Sequence, residues 1–217
     1  MNRTADVVIV GAGVIGSATA FELAKRGYKT LNIDKLPASG YGSTSNSCAI
    51  VRAHYSTWDG VAMAYEGFFY WDDWNKYLEV EDERGMAKYM KTGSIMFMLK
   101  GADHSKKSLN LFKEIGVEHE IWDLETLKKK MPIYSHDSYN GTSRPDEDDS
   151  FFDKSGDQIE GAVWTPGSGY VSDPQLATHN LQVATEAKGG EFLFDAEITE
   201  IRQSNGQIHG VTLKSGE

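Results

Sequence analysis

Four apolar residues in a row, Val7-Val8-Ile9-Val10, form the first regular pattern of the chain. A β-branched run of this kind after Asp6 predicts a strand over 6–10, buried on both faces of a parallel sheet. From Val14 the period lengthens. Val14, Ala18 and Phe21 recur at helical spacing, Leu23 and Ala24 widen the stripe, and Gly27 is the natural stop. Residues 30–34 then read as a second strand, and the helix between supplies the crossover that parallel strands need.

Further along, 36–57 is irregular and rich in Gly and Ser, which predicts mostly loop. Asp59 is a candidate N-cap for a helix to about Leu78. Ala64, Phe68, Trp71, Asn75 and Leu78 would line one face, with Gly67 and Trp74 beside them. Such an aromatic stripe reads as core rather than as a cofactor box. Residues 93–99 have the composition of a strand covered on both sides, and 105–115 form an amphipathic pattern through Leu109, Phe112 and Ile115. Asp123 caps another helix, with Glu125 near its start and Lys128-Lys129-Lys130 at its end, where positive charge suits the dipole. Residues 135–158 are polar. Their acidic run Asp146-Glu147-Asp148-Asp149 lacks the alternating ligands and glycine of a calcium loop, and reads as a solvated excursion. Asp173-Pro174 leads into a helix over about 175–188, with Leu176, Leu181 and Ala184 inward and Gly189-Gly190 as its stop. Strands over 191–194, 197–203 and 207–214 come next, the last two joined by Asn205-Gly206, a strong hairpin signal.

Charge narrows the partners. The 217 residues carry 22 Lys plus Arg against 32 Asp plus Glu, a net charge of −10. That balance argues against nucleic acid or an anionic membrane as the main partner. The single cysteine, Cys48, excludes an internal disulfide framework and any zinc site of CxxC spacing, and reads as a small buried hydrophobe. No candidate metal ligands emerge. The four-residue apolar run near the start is too short for a secretory signal, and no apolar run approaches the length of a transmembrane helix. A cytoplasmic chain is the expectation.

Gly11-Ala12-Gly13-Val14-Ile15-Gly16 is a GxGxxG between a buried strand and a helix, inside a βαβ unit of about thirty residues. Gly11 permits the tight turn, and Gly13 lets a diphosphate approach the backbone. Gly16, with Ala20 one turn on, lets helix and sheet pack closely. Free N–H groups at the helix start suit phosphate. Asp34 closes the second strand 18 residues after Gly16, where a carboxylate accepts hydrogen bonds from ribose hydroxyls and repels a 2′-phosphate. These features together predict an adenine dinucleotide, and leave FAD and NAD open.

The second strand leads not into another βα unit but into the loop Ser39-Gly40-Tyr41-Gly42-Ser43-Thr44-Ser45-Asn46-Ser47, then helices and apparent antiparallel strands. With Gly42-Ser43, Arg52 with Tyr55, the stretch 161–201 and the run Gly169-Tyr170-Val171-Ser172-Asp173-Pro174, the chain resembles the D-amino-acid oxidase superfamily of FAD-dependent amine oxidoreductases. Within it, the likeness is to the sarcosine oxidase and glycine oxidase branch, including dimethylglycine dehydrogenase-like enzymes. The resemblance implies an α/β fold in which a Rossmann-like FAD-binding domain is interrupted by an α+β substrate domain with an antiparallel sheet. Residues 1–58 and 169–217 would belong to the former and 59–168 to the latter. It also implies that Gly11, Gly13, Val14, Ile15 and Gly16 cradle the diphosphate, Asp34 holds the ribose and Lys35 sits beside the adenine. Gly42, Ser43 and Thr44 would contact phosphate and flavin, and the Ile198 backbone would pair with adenine, its plain alternative being an ordinary strand residue.

Arg52 matches the arginine that binds the substrate carboxylate in sarcosine oxidase-like enzymes; a structural ion pair is the competing role. His54 and Tyr55 are neighbours to examine. Departures from the pattern are Ala49, where relatives carry an arginine, and the lack of histidine between Gly42 and Ala53, so FAD is expected to be held without a covalent bond. Such enzymes exceed about 350 residues, so the sequence reads as an N-terminal portion, incomplete at its C-terminal end and poorly soluble alone. The implied activity is oxidation of the C–N bond of a small amino acid or N-methyl amino acid by hydride transfer to flavin. An NAD-dependent dehydrogenase and a non-catalytic FAD-binding chain that needs a partner are the alternatives, and homo- or hetero-oligomers are compatible with either.

Overall fold

The computed structural model describes residues 3–101, 103–140 and 144–216. The N-terminal Met1 and Asn2, the last residue of the expected C-terminal turn and 141–143 of the polar excursion lie outside the described residues. In chain order the elements are β1 (Val7–Val10), α1 (Val14–Lys25), β2 (Thr30–Ile33), β3 (Ile50–Val51), α2 (Trp58–Asp72), α3 (Trp74–Leu78), β4 (Tyr89–Met90), β5 (Ser94–Met98), α4 (Asp103–Ile115), β6 (Glu120–Asp123) and α5 (Leu124–Lys130). Then come β7 (Asp137–Tyr139), β8 (Lys154–Gln158), β9 (Gly161–Thr165), β10 (Gly169–Val171), α6 (Pro174–Ala187), β11 (Glu191–Leu193), β12 (Ile198–Ser204) and β13 (Gln207–Leu213). They form two compact units: Met1–Ile50, Tyr70–Met90 and Tyr170–Glu217 in one, Val51–Phe69 and Lys91–Gly169 in the other.

In the first unit β1, β2 and β11 make a parallel sheet in the order β1-β2-β11, with Val7 opposite Thr30 and Glu191 opposite Leu31. β2 is buried throughout. β1 is not: it is an edge strand and Val10 is 65% exposed, so the expected double burial holds for the central strand only. The inward face of α1 is Ser17, Ala20, Phe21 and Ala24, rotated from the expected stripe because small residues face α6. On α6 the buried set is Ala177, Thr178, Asn180, Leu181, Ala184 and Thr185, again mostly small. Asp173 caps α6 by accepting from the Leu176 N–H at 2.9 Å, and Pro174 fills the first turn. Asn205 and Gly206 both take positive φ, as the hairpin turn between β12 and β13 requires.

The expected single helix over 59–78 breaks at Asp73, and the cap is Thr57 rather than Asp59. The Val61 N–H donates to the Thr57 carbonyl and the Gly60 N–H to its hydroxyl. After the break Trp74, not Asn75, turns inward and donates to Asn180 Oδ1 at 3.3 Å. Asn180 also accepts from the Ala87 N–H (3.0 Å) and donates to Asp82 (2.8 Å) and the Gly85 carbonyl (3.0 Å). His179 lies 2.6 Å from the same Asp82 oxygen. This polar knot holds 73–88 against α6.

In the second unit β9 is central, antiparallel to β5 on one side and β6 on the other. One face packs Met96 and Val163 with Ala53, Val61, Phe68, Phe112 and Val117. On the other, Trp122, Leu127, Ile159 and Ala162 cluster, and Trp122 stacks on Trp164. Cover is incomplete there, since Phe97 is 38% exposed, which corrects the expectation of a doubly covered β5. Gly93 has φ +71°, and a Cβ there would overlap the Trp164 ring. Asp123 caps α5 by accepting from the Thr126 N–H at 2.8 Å, with Lys128, Lys129 and Lys130 in its last turn. The polar stretch 135–158 holds a hairpin, β7 with β8, where loop alone was expected. Cys48 is exposed, contrary to expectation.

Asn180→Ala should lower stability by about 3 kcal/mol, because it strands the Trp74 and Ala87 donors and one side of Asp82 together. The urea midpoint measures it. The exposed Asn75→Ala should move that midpoint little.

Candidate functional site

The glycine turn after β1 is built from three constraints. Gly11 adopts φ +104°, where a side chain is strained, and its missing Cβ would point into open space. A Cβ on Gly16 would overlap the Gly11 carbonyl oxygen, so α1 reaches this close to the turn only with glycine there. Gly13 precedes α1 without a side-chain cap, and no acidic residue lies in the first turn. The helix start therefore keeps its partial positive charge for an anion.

Two distant side chains come to this turn. Asp34 Oδ2 accepts from the Ala12 N–H at 2.7 Å, while its Oδ1 accepts from the Leu36 N–H at 2.9 Å. Each oxygen has a further lone pair to offer a hydroxyl. The Thr44 hydroxyl accepts from the Val14 N–H at 3.1 Å, which leaves its own proton to donate. The Gly40 N–H donates to the Ala12 carbonyl at 2.9 Å and ties the 36–49 loop down. Sequence reading missed Asn32, fully buried on β2, whose amide donates to the Gly11 and Gly16 carbonyls. The one signal was an amide side chain between Leu31 and Ile33, on a strand whose other polar residue is Thr30.

The other expected residues are placed less closely. Gly42 gives its carbonyl to Ser45 and Asn46 within its own loop, and Ser43 is exposed. Ile15 is 82% exposed. Lys35 lines a shallow depression with Phe194, Ala196, Glu197 and Lys214, where the Ala196 N–H donates to the Asp34 carbonyl. Ile198 lies outside that lining, half-buried at the start of β12 opposite Leu213.

Arg52 belongs to the second unit. Its Nη1 donates to the His54 carbonyl at 2.8 Å and its guanidinium lies 5.4 Å from the Tyr55 ring. The His54 ring is buried and meets the Thr165 hydroxyl at 3.0 Å, which continues to Ser94 and Ser168. Burial first, then the charges of Arg52 and His104, lower the His54 pKa to about 4.

Among the described residues no cluster of His, Cys, Asp and Glu could hold a metal ion. None of the described helices is long and apolar enough to cross a membrane.

A parallel βαβ unit with a glycine turn, a helix start free of acidic side chains and an acid at the end of the second strand defines a dinucleotide-binding protein. The chain belongs to the FAD dependent oxidoreductase family, DAO, whose profile matches residues 6–217. It is similar to a putative sarcosine oxidase of Caenorhabditis elegans, 31% identical over 147 residues, covering 67% of this chain and 36% of that protein. A D-amino acid dehydrogenase of Rhodopseudomonas palustris is 25% identical over 243 residues, covering 97% and 56%. The L-proline dehydrogenase structure from P. horikoshii superposes with a TM-score of 0.77 at 22% identity, covering all of this chain and 50% of that one. That likeness is one of fold. This chain thus spans roughly a third to a little over half the length of these relatives. FAD is the family's cofactor, and the glycine turn, the start of α1 and Asp34 are a donor and acceptor set that fits its ADP half.

Gly16→Ala should cost about 2 kcal/mol by forcing helix and turn apart, while Ile15→Ala should stay within about 0.5 kcal/mol; thermal melts compare them. The folded state holds His54 neutral, and its lowered pKa contributes stability that is full above about pH 6.5. That contribution is lost as pH falls toward about 4, because the unfolded chain takes up the proton first. Unfolding midpoints across that window should fall less steeply for His54→Gln than for the parent.

Proposed function

We propose that this chain forms the FAD-gripping part of an oxidoreductase that oxidises the C–N bond of a small amino acid or N-methyl amino acid. The observation that carries the reading is the Asp34 carboxylate aimed into the glycine turn, 2.7 Å from the Ala12 N–H. FAD, when bound, supplies a two-electron acceptor for the hydrogen on the carbon next to nitrogen. The protein's part is to bind and orient. The α1 N-terminus and the Thr44 hydroxyl, which keeps its proton to donate, suit the diphosphate, and the further lone pairs of Asp34 suit the ribose hydroxyls. Lys35 and the backbone near Ile198 are assigned to the adenine end, and Gly42 and Ser43 to the phosphate and flavin side. No histidine lies between Gly42 and Ala53, so that loop offers no histidyl link to the cofactor. On this reading 1–58 and 169–217, Arg52 excepted, serve the cofactor, and 59–168 the substrate.

Arg52 is the residue assigned to the substrate carboxylate. The planar fork of a guanidinium makes two parallel, charge-assisted bonds to it. The hydrogen bond to the His54 carbonyl and the Tyr55 ring hold one side of that fork, and neither neutralises its charge. Fixing the carboxylate orients the carbon that loses hydrogen. The imine product is then hydrolysed by water to a carbonyl compound and an amine.

The test is anaerobic bleaching of the flavin by sarcosine in the full-length protein. Arg52→Met should raise the half-saturating concentration about 100-fold, the loss expected for a charge-assisted pair. An unchanged concentration removes Arg52 from the carboxylate role, and a colourless, FAD-free parent protein removes the cofactor assignment.

A further inference from the structure

Asn32 is the one strongly polar side chain on the first unit's central strand. It is fully buried, and its neighbours Leu31 and Ile33 are apolar. A carboxamide in that place carries a desolvation cost that only its hydrogen bonds offset. Its Nδ2 lies 3.1 Å from the Gly11 carbonyl and 3.2 Å from the Gly16 carbonyl. Both partners are acceptors, which fixes the orientation of the amide: the nitrogen faces the turn. Oδ1 is left buried with no partner. The amide is therefore held through its donor side, whereas an apolar side chain of similar volume would avoid the desolvation cost.

The two carbonyls mark the ends of the glycine turn. Gly11 is its first residue and holds a backbone conformation available to glycine, while Gly16 lies in the first turn of α1. Between them sit the N–H groups of Gly13, Val14 and Ile15, that of Val14 held by the Thr44 hydroxyl. Bridging the ends from below fixes the spacing of strand and helix, and with it the direction of those N–H groups. Asp34 grips the same turn from the side through the Ala12 N–H, two residues further along the chain from Asn32. Alternate residues of a strand point the same way, so one register places both holds.

We propose that Asn32 is a positioning residue for the cofactor diphosphate: its amide ties the Gly11 and Gly16 carbonyls together and holds the turn in its anion-accepting shape. This rests on the reading that the turn grips FAD. The role gives the buried amide a function that fold stability does not require, and it explains why its donor side is spent on the two ends of the turn.

The test is Asn32→Leu in the full-length protein, with three measurements. Amide hydrogen exchange is read over 11–16 without nucleotide, the dissociation constants of FAD and of ADP are measured, and the melting midpoint of the nucleotide-free protein is recorded. The expected result is exchange over 11–16 faster by about tenfold, and both nucleotides weaker by about tenfold, the loss of two ordinary hydrogen bonds. The nucleotide-free midpoint should be equal to the parent's or higher. A midpoint that falls, with exchange over 11–16 unchanged relative to the rest of the sheet, assigns Asn32 to stability and overturns the proposal. So do nucleotide affinities within twofold of the parent. If leucine does not fit, Asn32→Val, a residue at home in a buried strand, is read by the same criteria. Should the parent itself bind neither FAD nor ADP, the cofactor reading fails, and with it the positioning role, whereas the exchange data still report whether the amide holds the turn.

Discussion

The closeness of α1 to its own glycine turn is the constraint on which the first unit depends. There is no space for a single methyl group between Gly16 and the Gly11 carbonyl. Because the helix starts there, its first N–H groups emerge beside the end of β1, and its small-residue face, Ser17, Ala20 and Ala24, meets α6. The same approach puts Asn32 within reach of two carbonyls and Asp34 within reach of one N–H. Binding chemistry and packing are therefore not separable in this region. Both stem from one distance set by the absence of a side chain.

The second unit is organised differently. Its centre is a short buried strand, Gly161–Thr165, that lends one face to each of two apolar clusters. Several of its polar groups form a connected set: His54, Thr165, Ser94 and Ser168 satisfy one another inside that unit. A low local dielectric favours such closed networks and penalises open ones. The His54 backbone carbonyl in turn receives Arg52. The arginine thus stands on a rigid base, although it is itself exposed.

Much of this was legible in the sequence where local chemistry and long-range packing agree. Val7–Val10, the GxGxxG, Asp34, the caps at Asp123 and Asp173 and the turn at Asn205-Gly206 are local signals with a single physical reading. The failures have equally specific causes. No Pro or Gly marks the break at Asp73; the helix yields because Trp74 finds Asn180, more than a hundred residues away. The β7–β8 hairpin lacks alternating apolar residues and leans on Lys154 with Asp137 and on Tyr139 against Phe152. The four-residue β6 merges into the cap of α5 and leaves no periodic trace. At the site, Asp34 could be named because ribose chemistry asks for a carboxylate there, and Thr44 only through the family resemblance. Asn32 could not, since its partners are backbone carbonyls that no sequence pattern displays.

Gly93 carries a consequence of another kind. Its backbone tolerates few residues, and the space where a side chain would begin is occupied by the indole of Trp164. Two positions 71 residues apart are therefore bound in their history. Drift at 93 is open only to lineages that have already given up the tryptophan, so across descendants of a common ancestor the pair should be inherited as one character.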